Sequence, residues 1–164
     1  MRATNNPRNK MYIALKILHV AAVVIFLGNL VTGIFWKMHA DRTRDPNIVR
    51  HTVAGLIGAD RWFTIPGVIL ILVGGFGAAL VGGLPLLHTR WILDGIILFT
   101  ISGIAYMARV VPLQRDMLRL ARAGVESGNF DWDGYRSLSG QWNFWGTVAL
   151  LPPALAVMAM IAKP

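Results

Sequence analysis

His19 is the residue in this chain best placed to do chemistry. It lies in the run Lys16-Ile17-Leu18-His19-Val20, two turns inside an apolar stretch covering residues 12–36. A titratable ring in hydrocarbon is costly and marks binding, proton movement or redox ligation. A neutral imidazole can hold a haem iron or a soft metal through one nitrogen while the other donates to a neighbouring carbonyl. The plain structural alternative is a hydrogen bond to an adjacent helix.

Counting inward from the same boundary of an antiparallel second stretch reaches Val73-Gly74-Gly75-Phe76-Gly77 at the depth of His19. Glycines there suit tight helix packing, and they equally suit the close approach of a flat macrocycle. His19 as metal ligand, with Gly74, Gly75 and Gly77 beside it, therefore makes a candidate haem site. Asp94 follows Arg90 by four residues, the spacing of a helical ion pair, and also reads as a proton or cation relay on the same side as His19. His88, in a short turn on that side, is the nearest second imidazole, or is simply solvent-exposed. His39 and His51 lie about a membrane thickness (roughly 30 Å) away. Met107, Met117, Met158 and Met160 are soft enough for copper or haem iron, although packing is the commoner use of methionine.

The elements that must position these groups are long apolar segments at 12–36, 62–83, 91–112 and 142–161. Each reaches the length of about 20 residues that a helix needs to cross a bilayer. Three begin at a tryptophan and the fourth runs from Tyr12 to Trp36, so aromatic residues mark the boundaries at headgroup level. The expected fold is all-α: one integral membrane domain spanning residues 1–164, a four-helix bundle with amphipathic loop helices. On the first segment, helical spacing places His19, Phe26 and Gly33 on one stripe, with Asn29 and Thr32 adding inward polarity.

Arg2, Arg8 and Lys10 precede the first segment, which is too long for a signal h-region and is expected to stay as an anchor. It is expected to continue to about residue 40, and Asp45-Pro46 reads as a helix start. Over 112–125, Leu113, Met117, Leu120 and Ala121 recur at helical spacing with arginines on other faces, which predicts a surface-lying or protruding helix. Residues 126–139 have loop composition. Ten lysines and arginines fall on the side of the two long loops and six on the side of the termini. This asymmetry predicts cytoplasmic long loops with both termini outside.

Composition agrees with a membrane domain: 164 residues, 55% hydrophobic and 15% charged, with a mean hydropathy of +0.54. The net charge of +8 lies outside the apolar runs and points to anionic headgroups, not to nucleic acid. With no cysteine, disulfides, thiolate metal sites, iron–sulfur clusters and covalent haem attachment are excluded. The sequence contains no HExxH, phosphate-binding glycine loop or nucleophile elbow, and no paired intramembrane carboxylates.

Several runs carry a family resemblance: Lys16-Ile17-Leu18-His19-Val20, Phe26-Leu27-Gly28-Asn29, Trp36-Lys37-Met38-His39, Asp60-Arg61-Trp62-Phe63-Thr64-Ile65-Pro66-Gly67 and Val111-Pro112-Leu113-Gln114. With the terminal segment from Trp142 they resemble, over nearly the whole chain, the bacterial membrane proteins of domain of unknown function 2269. The Lys-x-x-His pattern of the first segment also resembles HemJ-type protoporphyrinogen oxidases and the CopD membrane domain. The HemJ likeness implies four membrane helices holding haem b, with His19 matching a required histidine and His39 falling near a second. The lysine that HemJ-type proteins carry early in the third segment has no counterpart in Trp91-Ile92-Leu93-Asp94-Gly95-Ile96, so a haem-capable scaffold is implied and porphyrinogen oxidation is not. The resulting expectation is a bacterial inner-membrane protein that binds haem b and transfers electrons, with quinone or a membrane redox protein as partner, alone or as an oligomer. Copper handling, or an accessory role in a larger complex, is the alternative.

Overall fold

The computed structural model describes residues 6–162 and contains six α-helices: α1 (Pro7–Thr43), α2 (Pro46–Ala59), α3 (Ile65–Val81), α4 (Arg90–Ala105), α5 (Val111–Ser127) and α6 (Trp132–Ala162). A π-helical turn at Asp60–Thr64 joins α2 to α3, and a second at Tyr106–Val110 joins α4 to α5. The chain is thus four long helices, Pro7–Thr43, Pro46–Val81, Arg90–Ser127 and Trp132–Ala162, each long and apolar enough to cross a membrane. No strand occurs among the described residues. In lipid every backbone group must find its partner within the protein, and a helix does this within each segment.

Local chemistry sets the ends. Asn6 caps α1 by accepting from Arg8 N, and Asp45 caps α2 by accepting from Asn47 N and Ile48 N. Pro46 and Pro7 occupy first-turn positions where no intrahelical N–H is required. Arg44 stands in the left-handed region at φ 51°, which ends α1, and Gly128 at φ 69° ends α5. The Arg8 guanidinium donates to the Val81 carbonyl at the C-terminal end of α3, 2.9 Å away.

Both π turns lead into an x-Pro step, Ile65-Pro66 and Val111-Pro112. A proline inside a helix lacks the N–H and crowds the carbonyl four residues back. The chain responds by widening one turn, so that Ile65 N bonds Asp60 O and Val111 N bonds Tyr106 O, five residues back. In α6, Pro153 leaves the Ala149 carbonyl without its usual donor, and the Ser102 hydroxyl of α4 donates to it at 2.6 Å.

Two long-loop features differ from the sequence expectation. The helix predicted over 112–125 continues the third long helix without a break, and it packs on α2 and α6. The irregular stretch predicted over 126–139 narrows to 128–131. Asp131 accepts from Gly134 N and, through its carbonyl, from Tyr135 N, so α6 starts at Trp132. The docking of Tyr135 and Ser139 against Asp41 of α1 then holds that start in place.

The helices pair as α1 with α3 and α4 with α6. The two pairs join at the long-loop end, where α2 packs on α5 and a core forms around Val49, Val53, Met117, Ala121 and Tyr135. Towards the other end α3 has no Cα within 8 Å of α4 or α6, and α1 has none within 8 Å of α4. A smaller cluster of Ala22, Phe26 and Ile71, with Phe26 against Phe99 of α4 at 5.7 Å between ring centroids, bridges the pairs there.

Candidate functional site

Polar side chains meet at three depths along α1. The first is His19, whose Nδ1–H donates to the Ile71 carbonyl of α3 at 2.8 Å. A carbonyl accepts only, so this bond fixes the tautomer and leaves Nε2 as the nitrogen with a free lone pair. A Cβ at Gly74 would come within 2.8 Å of the His19 backbone nitrogen, and one at Gly75 within 2.9 Å of the ring atoms Cε1 and Nδ1. A Cβ at Gly77 would meet the Leu15 methyls at 3.2 Å. The depth match read from sequence therefore brings His19 onto Gly74 and Gly75, and all three glycines admit α1 itself.

The other expected site residues lie apart from this contact. His88 is exposed in the turn between α3 and α4. Asp94 is half-buried on α4 and forms no ion pair with Arg90 among the described residues. His39 stacks on Phe35 with ring centroids 6.5 Å apart, at the surface. Met107 and Met158 are exposed, whereas Met117 is buried in the core.

About 15 Å further along α1, at 1.5 Å per residue, Asn29 reaches a second group that sequence reasoning did not single out. The carboxylate of Asp60, on the first π turn, accepts from Thr64 Oγ1 at 2.7 Å, from Gln114 Nε2 at 2.8 Å and from Asn29 Nδ2 at 3.4 Å. Asn29 Nδ2 also donates to Thr64 Oγ1 at 2.9 Å. Tyr106, first residue of the second π turn, lines the same cavity. Asp60 thus draws donors from three long helices. No lysine, arginine or histidine lies within 4.0 Å of it among the described residues. These groups open into a cavity of about 310 Å³ whose wall includes Trp36, Tyr106 and Trp142.

The third group surrounds Lys37, which is 0% exposed. Its ammonium lies 2.8 Å from Asp41 Oδ2 and donates to Ser139 Oγ and to Asn143 Oδ1, the latter at 3.0 Å. It also sits 5.1 Å from the centroid of the Trp142 ring. Asp41 accepts in turn from Tyr135 OH at 2.7 Å and from Ser139 Oγ at 2.8 Å. The cluster ties α1 to α6. The i,i+4 spacing of Lys37 and Asp41 was the signal available in the sequence; the depth of burial was not. The Nε1–H of Trp142 is the buried side-chain donor left without an acceptor among the described residues.

Four helices, each long and apolar enough to cross a bilayer, define an integral membrane protein. The chain belongs to the DUF2269 family, described as predicted integral membrane proteins, and the match covers residues 13–164. No curated protein and no solved structure matches it.

The donor set at His19 bears on the haem expectation. One imidazole with Nδ1 held by a backbone carbonyl has the posture of an iron ligand, since that bond orients the ring and leaves Nε2 as the nitrogen with the lone pair. The glycines contribute close helix packing at this point and no gap between α1 and α3.

Proposed function

We propose that this protein binds b-type haem through His19 and passes electrons within a bacterial inner membrane, to or from a quinone or another membrane redox partner. The observation that carries the reading is the posture of His19, with Nδ1 engaged by the Ile71 carbonyl and Nε2 free. The likeness of the first helix to HemJ-type and CopD proteins supports it. Bound haem would supply one-electron redox chemistry, which the protein tunes by ligation and by a low dielectric. Of the chain's own residues, His19 would be the axial donor and Ile71 the group that fixes its tautomer. Gly74 and Gly75 seat the histidine against α3, so that its ring is held by packing as well as by the hydrogen bond.

The test is an absorption spectrum of the detergent-purified protein from haem-replete cells, oxidised and then reduced with dithionite. A Soret band and a sharp reduced α-band are expected, lost in His19→Ala and unchanged in His51→Ala, whose site is exposed on α2. A featureless spectrum of the wild-type protein would remove the reading. Retention of full haem by His19→Ala would move the ligand elsewhere.

A further inference from the structure

We propose that the cavity beside Asp60 is a binding site for a small organic cation of the ammonium class. The argument starts from charge. Asp60 is a part-buried carboxylate held by the neutral donors Thr64, Gln114 and Asn29, with no cation within 4.0 Å among the described residues. The nearby buried cation, Lys37, is committed to Asp41, and the Arg109 guanidinium sits over Trp145 at 5.1 Å from the ring centroid. An ionisable group lodged among packed membrane helices is paired with an opposite charge or marks a substrate path, and Asp60 has no cationic partner among the described residues.

The shape and the remaining wall choose the kind of cation. Asn29 and Gln114 spend their NH₂ groups on Asp60, so each amide oxygen stays available as an acceptor. The wall also includes the aromatic residues Trp36 and Tyr106, together with Leu30 and Leu56. Aromatic faces attract ammonium groups, most strongly where water is excluded. A volume of about 310 Å³ is far more than a bare ion needs and suits a ligand with an apolar body. Among the described residues no three histidine, aspartate or glutamate side chains gather as a metal cluster would require. Both π turns of the fold begin at this site, with Asp60 and Tyr106, and such turns recur at functional sites.

The proposal does not depend on haem. Its test uses detergent-purified protein titrated with tetramethylammonium chloride and with n-butylammonium chloride, against sodium chloride at equal ionic strength. Heat of binding and tryptophan fluorescence are followed together. A saturable response to at least one ammonium salt and none to sodium is expected, with affinity falling by about tenfold or more in Asp60→Asn. Gly146→Leu is the companion variant, because Gly146 lines the cavity, lies in a helix and has no atom within 4 Å of an added Cβ. It keeps Asp60 and fills space, and it should lose the response with its helical circular dichroism intact. Wild-type affinity in either folded variant, a response to sodium alone, or no saturable response in the wild type would each overturn the proposal. The haem spectrum of the same preparation reports separately on His19.

Discussion

Lys37 and Asp41 show what one charged pair does in this bundle. The ammonium is wholly buried, and every group around it is a partner: Asp41, Ser139, Asn143 and the face of Trp142. Breaking a buried pair by removing one member leaves an uncompensated charge and costs about 3–5 kcal/mol, whereas replacing both members is far milder. Asp41→Ala should therefore destabilise the protein by about that amount in a denaturation series in detergent, and Lys37→Met combined with Asp41→Ala should recover much of the loss. A single variant within about 0.5 kcal/mol of wild type would show that water reaches Lys37 and that the pair acts as a surface one.

Among the elements, α1 and α3 hold the closest approach, and glycine decides it. At Gly74 an added methyl meets backbone of α1 at 2.8 Å, which has no rotamer by which to move aside, while at Gly28 it meets nothing within 4 Å. Gly74→Ala should cost about 1–3 kcal/mol through overpacking and push His19 off Gly75. Gly28→Ala should be neutral, or stabilising by up to about 1 kcal/mol through helix propensity. Equal unfolding midpoints for the two variants would contradict this packing. The π turns act at the same scale. By widening the helices ahead of Pro66 and Pro112 they set Asp60 and Tyr106 at the same cavity from different long helices.

At the scale of the whole molecule, the two helix pairs are welded at the long-loop end by α2 on α5 and by the Lys37 cluster between α1 and α6. They separate towards the short turn. The lysines and arginines on the long-loop side number ten against six on the other, an asymmetry that predicts a cytoplasmic welded end. Reporter fusions at Ser127 and after Pro164 should then report opposite sides, with Ser127 cytoplasmic. A periplasmic signal at Ser127 would invert the orientation and leave the four crossings intact.

The number of crossings was legible in the sequence alone, because a bilayer demands about 20 apolar residues per crossing and these runs stand out against polar flanks, whereas the helices themselves run on to 31–38 residues. The helix start at Asp45-Pro46 was legible for the same kind of reason, since a cap and a first-turn proline act within three residues. The depth match of His19 with Gly74 and Gly75 also followed from counting along antiparallel rods. What tertiary structure alone decided was partnership. Whether glycines open a slot or admit a neighbouring helix depends on which helix lies opposite, and the answer here is α1. Asn29 and Gln114 are 31 and 54 residues from Asp60 along the chain, and Lys37 is 106 residues from Asn143. No local period links such distances, so the carboxylate without a cation and the buried lysine became visible only once the four helices were packed together.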